Sequence, residues 1–561
     1  MSAEDRPDPV AGRGRAAPTI RLEPATEGPE VEVGVPPAEP RTERAGRIAR
    51  STAFFSIATS FSRIAGLVRE VFAASYFGVR PAMSAFTIAF QVPNLVRSLF
   101  ADAAIQAAFV PVFTEQLERG NRRDAFRLAS TLIYLVALVL GLLTALFILV
   151  APVLVPIFVG AKVPQDLTVS LSQLLFPILV LLGISGMVVG ILNSYNRFAA
   201  FAISPFFWNV AIVVVLVLLA PAFSPADRIY AYAIGVLVGT VIQLAIPAWD
   251  LRHTPFRLLR VCDWRSLQVR RVLLLMLPVT LSLGLINFDL LINSLIGALI
   301  SGDAPAAIDK AFRIYMLPQG IFSVAVTTVL FPTLARLAAR RDFDDLRATM
   351  ASGMRQIALL LIPAAAAILV LSVPMVRLVY QRGAFDAQDT ELVATALFWF
   401  AFSLPFNGLY LLMTRTFFSL QRPWIPTAIS GVNLVIDVIA SFALYSPFGV
   451  GGVVAATGIA TLAGVATQAL ILRRHLGRLE LGRFVWTTSR VSLAAAGLAG
   501  ASYAVWRVLD DVLGRSLGAQ ALSLACGLAA GALVYWLAIN LLRIPEVAQV
   551  RRLIRRERAS L

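Results

Sequence analysis

Four arginines, Arg63, Arg69, Arg97 and Arg313, stand in stretches otherwise apolar enough to lie in lipid. An arginine at the centre of an isolated transmembrane helix costs about 2.5–3.5 kcal/mol on insertion scales, so four of them reach on the order of 10 kcal/mol. Charges at that cost are kept where they face water, and the chemistry open to them is the grip of an anion. A guanidinium meets phosphate oxygens through two parallel N–H···O bonds, so a phosphate or pyrophosphate is the expected ligand. On ideal helical geometry Ser56, Thr59, Ser60 and Arg63 fall within about 100° of one another, and Arg69 lies about 120° from Arg63. Gly66, between the two arginines, permits a bend toward one cavity. Gln91, Ser98 and Asp102 form a second polar stripe, with Asn94 and Arg97 at its shoulder. Asn209, in SPFFWN, reads as a cavity donor or as an asparagine satisfied between helices. For the arginines, the alternative is pairing with Glu70 and Asp102, or snorkelling of the head groups to the membrane interface.

A second constellation is acidic. Asn433 and Asp437 are four apart, hence on one face of a helix. Asp289, Thr457 and the carbonyl of Val453 are placed to join them from neighbouring spans. Carboxylate, amide and hydroxyl oxygens suit a hard cation rather than zinc or copper. The same carboxylates could instead carry a proton or be hydrogen-bonded between helices. Cys262 and Cys526 lie far apart, and His253 and His475 fall in basic loops, so no disulfide framework, zinc site or histidine-based catalysis is expected.

The elements that must position these residues follow from composition. Of 561 residues, 58% are hydrophobic and 15% charged, against about 25% charged in soluble domains, which marks a polytopic membrane protein. The net charge of +16 comes from arginines scattered through short loops, a positive-inside pattern rather than a nucleic-acid face. About fourteen apolar runs are long enough to cross a ~30 Å core. They fall near 51–78, 82–112, 126–158, 167–194, 203–221, 228–250 and 271–300, then 306–337, 350–380, 390–416, 425–446, 450–473, 487–509 and 517–543. Every second connection is basic, as in Arg119–Arg127, Arg252–Arg271, Arg336–Arg347 and Arg473–Arg483, which places both termini in the cytoplasm. Residues 1–50 read as a disordered tail without a signal peptide, 251–270 as a basic cytoplasmic linker and 544–561 as a basic cytoplasmic tail drawn to anionic lipid.

An internal repeat organises the spans. AFTIAFQVPNLVRSLF (85–100) followed by FVPVF answers AFRIYMLPQGIFSVAV (311–326) followed by LFPTL, at an offset of about 225 residues. Pro93 matches Pro318 and Pro111 matches Pro332, and these prolines are expected to bend or break their helices. Six spans separate the copies, so both halves enter the membrane in the same direction. The expected fold is all-α: two parallel six-helix lobes (51–250 and 271–474) around a central cavity, plus two C-terminal helices within 475–543.

Several stretches then carry a family resemblance. SFSRIAGLVRE (60–70), AFTIAFQVPNLVRSLFADAAIQAAFVPVF (85–113), FRIYMLP (312–318) and YQRGAFDAQDT (380–390) resemble the MurJ/MviN lipid II flippases of the MOP exporter superfamily, over nearly all of residues 50–540. The resemblance implies alternating access and a substrate of undecaprenyl-pyrophosphate bearing the peptidoglycan disaccharide-pentapeptide. It places the cavity arginines at Arg63, Arg69, Arg97 and Arg313, a sodium site at the Asn433/Asp437 pair, and a groove for the lipid tail on the last two helices. The chain departs from some relatives at Ser84, where an aspartate is expected, and at Phe312, where some carry an acid.

The resulting expectation is a bacterial plasma-membrane transporter for peptidoglycan synthesis, not an enzyme, with no cofactor unless sodium. Its partners would be lipid II, membrane lipids and cell-wall synthesis proteins, and no nucleic acid. The nearest alternative is an exporter of another polyprenyl-pyrophosphate-linked glycan. A cationic-drug exporter would line its cavity with carboxylates, and a membrane transferase would need paired acids or a histidine at a membrane face. No GxxxxGK[ST] loop points to ATP.

Overall fold

In hydrocarbon a backbone N–H or C=O finds no water, so long apolar runs close their hydrogen bonds internally as helices. The computed structural model describes the backbone of residues 41–100, 103–477 and 480–544, and the side chains there except at 41–57, 96–107, 277–287 and 481. The chain forms two units, Met1–Thr52 and Ala53–Leu561, and the first is described only from Arg41. The first half carries α1 (Arg41–Phe77), α2 (Pro81–Phe100), α3 (Ala103–Glu118), α4 (Arg122–Phe158), α5 (Gln165–Leu175), α6 (Ile178–Ser194), α7 (Ala199–Leu219) and α8 (Arg228–Leu251). The second carries α9 (Leu267–Ile300), α10 (Ala304–Pro318), α11 (Val324–Ala339), α12 (Phe343–Tyr380), α13 (Ala387–Ser419) and α14 (Trp424–Leu476), followed by α15 (Leu481–Leu513) and α16 (Leu517–Leu541). No strand occurs among the described residues.

Local chemistry sets several of these ends. Ser266 accepts from the Val269 amide to open α9, and Asp386 and Asp389 exchange the two bonds of a capping box at α13. Gly449, at φ +55°, folds the 53-residue α14 into two arms, because a residue with a side chain is strained there. α1 opens at Arg41, ahead of the expected start at Ser51. Apart from 41–50 and Ile544, both expected tails lie outside the described residues.

The prolines behave differently in the two copies of the repeat. Pro93 and Pro111 do not end their helices, which run on through both positions. The repeat mate Pro318 does mark a change, being followed by a π-helical turn, Gln319–Ser323, before α11. Among the described residues, ten helical stretches are long and apolar enough to cross a membrane, against fourteen expected runs. α14 counts once although about 20 residues suffice for one crossing. α1, α2 and α9 are not among the ten, and each contains residues whose side chains lie outside the described set.

Within the first half, α2 packs on α5, α6 on α4 and α8, and α7 on α8. In the second, α13 packs on α12, α14 and α10, and α14 on α9. The halves meet where α2 and α3 touch α9 and α2 touches α10. α15 and α16 pack on each other and on α12, tied by an Arg377–Asp510 ion pair and by Tyr535 Oη donating to the Leu359 carbonyl at 2.7 Å.

At the end opposite the basic loops the halves close on each other. The Ala384 amide donates to the Ser75 carbonyl at 2.7 Å, and Lys162 Nζ donates to the Ile300 carbonyl at 2.7 Å. Ser84, fully buried, accepts from the Ala306 amide at 3.2 Å and so caps α10 from the other half. Its hydroxyl does at a helix N-terminus what the expected aspartate would do with a charge.

Candidate functional site

α10 carries two working faces. Asp309 and Arg313, one turn apart, look toward the first half, while Phe312, Tyr315 and Met316 look into the second.

On the first face the ion pairs converge on Glu70. Its carboxylate hydrogen-bonds Arg69, takes Arg313 Nε at 3.2 Å on Oε1 and faces Lys310 Nζ at 3.5 Å on Oε2. Asp309 shares Arg313, accepting from Nε at 2.9 Å and Nη2 at 3.4 Å. Arg69 also lies over the Trp208 ring at 4.7 Å and Lys310 over Tyr380 at 5.2 Å. Lys310 is wholly buried and the Glu70 side chain 6% exposed, whereas Arg313 keeps 36% of its side chain accessible. Three cations thus meet two carboxylates across the boundary between halves. The space beside them is about 20 Å³, room for roughly one water and not for a pyrophosphate. Arg69 and Arg313 are therefore occupied by carboxylates in this conformation.

Arg63 is different: it is exposed, and a Cβ placed on Gly320 would stand 3.8 Å from its Nη1. It reaches across from α1 to the π-helical turn of the second half. Ser60 lies exposed one turn before it. Asn209 is buried and holds α7 to α1, donating to Pro205 O at 2.8 Å and Ser62 O at 3.5 Å, with its own Oδ1 unpartnered. The Arg97 side chain lies outside the described residues.

The acidic constellation opens on a cavity of about 390 Å³ inside the second half. Asp437 is fully buried with neither carboxylate oxygen hydrogen-bonded, and it lies beside Asp289. Facing carboxylates need a cation or a proton between them. Asn293 donates to Thr457 Oγ1 at 2.9 Å and leaves its own Oδ1 unpartnered. Asn433 and Thr457 line the cavity, and Val453 is fully buried. Asn433 fits because Gly464 opposite has no side chain. The donors are oxygens, several of them orphaned, which fits a hard cation. Among the described residues no three His, Cys, Asp or Glu side chains cluster.

Sequence reasoning treated Glu70 only as a pairing alternative for Arg69, and it passed over Asp309, Lys310, Asn293 and Asn407. The i,i+4 spacing of Asp309 and Arg313 was readable. That Glu70, some 240 residues earlier, completes their cluster was not.

The family model described as lipid II flippase MurJ matches residues 73–515. A relative from Rhizobium meliloti (strain 1021), named a probable lipid II flippase MurJ, is 32% identical over 86% of this chain and 91% of its own length. The solved structure of a lipid II flippase MurJ in an inward closed conformation superimposes with a TM-score of 0.73 at 22% identity, covering 87% of this chain and 98% of that one. An inward-facing multidrug MATE transporter of the MOP superfamily gives a TM-score of 0.64 at 13% identity over 75% and 95% of the two chains.

Proposed function

This chain belongs to the lipid II flippase MurJ family, and from that premise we propose that it grips the pyrophosphate of lipid II between its two halves and exposes it to each side of the bacterial cell membrane in turn. It is a transporter and not an enzyme. The observation that carries the binding site is that Arg69 from α1 and Arg313 from α10 meet on Glu70 at the boundary between halves, with Arg63 farther along α1 against the π-helical turn. Pyrophosphate oxygens would take the guanidinium forks that Glu70 and Asp309 hold in the closed arrangement, while sugars occupy the opened cavity and the isoprenoid stays in lipid. With the basic loops cytoplasmic, both termini are inside and the sealed end around Ser75 and Ala384 faces outward. Membrane lipids surround the chain, and cell-wall synthesis proteins are the partner class the substrate suggests.

Native mass spectrometry of the purified chain with lipid II tests this. Arg63→Ala and Arg313→Ala should each weaken binding about tenfold or more, the scale of a lost charge-assisted bond. Undecaprenyl phosphate should compete poorly. Binding unchanged in both variants would return the arginines to a structural role, and equal competition by another polyprenyl-pyrophosphate glycan would widen the substrate class.

A sodium ion is the cation this reading assigns to Asp289, Asp437, Asn433, Thr457 and the Val453 carbonyl, with Asn293 as a further donor. Bound there it would neutralise the facing carboxylates. Sodium, but not choline, should raise the thermal midpoint of the chain, and Asp437→Ala should abolish that shift. An equal sodium response in the variant removes the site.

A further inference from the structure

The two proposed sites sit on opposite sides of one short, irregular element. The π-helical turn Gln319–Ser323 presents Gly320 to Arg63 on one side. On the other, Gln319 Nε2 donates to Asn407 Oδ1 at 2.7 Å, and both residues line the wall of the cation cavity across from Asn433. A π-turn carries one more residue per turn than the helix around it, and such turns are frequent at functional positions because they shift register at low cost. Here Pro318 precedes the turn, and Ser323 closes it, buried with its hydroxyl unpartnered. A Cβ on Gly408, the neighbour of Asn407, would stand 3.0 Å from that hydroxyl, so α13 lies directly on the turn.

From Asn407 the polar contacts continue toward the acidic pair. Tyr410, one turn along α13, bonds Ser430 of α14 at 2.8 Å, and Asn433 follows Ser430 by one turn. Two helix faces and two hydrogen bonds thus connect Asn433 and Asp437 to Gln319. A Cβ at 320 would meet the Arg63 Nη1 at 3.8 Å, ordinary van der Waals contact, so the backbone of the turn is the surface against which the guanidinium lies.

We propose that the Gln319–Asn407 amide pair makes this π-turn the coupling element between the cation cavity and the pyrophosphate site, so that cation binding sets the position of Gly320 and thereby the room Arg63 has to meet substrate. Gln319 and Asn407 are positioning residues, outside the set of donors assigned above to the phosphate and to the cation. The proposal rests on the lipid II and sodium readings above. Physical adjacency alone does not establish coupling, so the test measures the coupling itself.

Lipid II affinity of the full chain is measured with sodium and with choline at constant ionic strength, alongside the sodium-induced thermal shift. In the parent, sodium should change lipid II affinity about fivefold or more, the lower end of ordinary coupling. Gln319→Ala and Asn407→Ala should each keep the thermal shift and the affinity in choline, while the sodium effect on affinity falls to within about twofold of none. The exchange Gln319→Asn with Asn407→Gln rebuilds the amide pair and should restore it, which a merely structural defect would not do. A parent that binds lipid II and shows the sodium shift, yet has sodium-independent affinity, overturns the coupling while leaving both sites standing. Full coupling retained in both alanine variants overturns it as well. A parent without any sodium shift removes the cation reading, and the coupling with it.

Discussion

Glu70→Gln should destabilise the protein by about 3–5 kcal/mol, the cost of removing one partner from a buried ion pair. Glu70 is the carboxylate that faces Arg69, Lys310 and Arg313 together, and among the described residues Lys310 Nζ has no hydrogen-bond partner and no exposure to water. Without it a wholly buried ammonium and two guanidiniums are left with Asp309 alone. The thermal midpoint in detergent should fall clearly, and Lys310→Met in the same chain should recover most of the loss, since an apolar side chain of similar length removes the stranded charge. Lys310→Met by itself should cost little, because Glu70 keeps both arginines. Lipid II binding should move the opposite way from stability. With its competitor gone Arg69 is freed for phosphate, so affinity should rise while net flipping falls, the closed arrangement being no longer held. A Glu70→Gln chain as stable as its parent, or a double variant no better than the single, would show that the cluster is solvated in a way the buried geometry denies.

Gly383→Ala should open the sealed end. Gly383 sits at φ +62°, where a side chain costs about 1–2 kcal/mol, and its Cβ would press on the Ser75 carbonyl of the other half. That carbonyl is also the acceptor of the Ala384 amide, so the strain falls on the bond that joins the halves there. Hydrogen exchange at Ala384 should speed up by about tenfold or more, equivalent to about 1.4 kcal/mol of lost protection. Gly78→Ala should act in the same direction, since its φ is +60° and its Cβ would stand 2.9 Å from the Ala384 carbonyl. Gly431→Ala, where nothing lies within 4 Å, is the control and should change nothing. Exchange at Ala384 that is the same in all four proteins would mean that the loop of residues 381–386 adapts without parting from Ser75.

Much of this protein was legible in its residues. Apolar runs of membrane-crossing length leave helix as the answer, because the backbone must satisfy itself in lipid. The repeat at Pro93 and Pro318, and the arginines set among apolar neighbours, named the segments that line the interior. The family followed from motifs in those same segments, and the family match over residues 73–515 agrees with it. Asn433 and Asp437, one turn apart, were readable as a pair because helical spacing is a local property.

Tertiary structure decided what lies between elements distant in the chain. Whether Arg69 and Arg313 are open to a ligand depends on Glu70 and Asp309, which share their charge only once α1 and α10 meet. Asn209 reads locally either as a cavity donor or as an interhelical asparagine, and packing makes it a clasp between α7 and α1. The π-turn after Pro318 has no counterpart in residues 94–100 after Pro93, although the two prolines match. Local rules set the spacing of side chains along each helix. Which charge meets which is a long-range electrostatic and packing outcome, and it exists only in the folded chain.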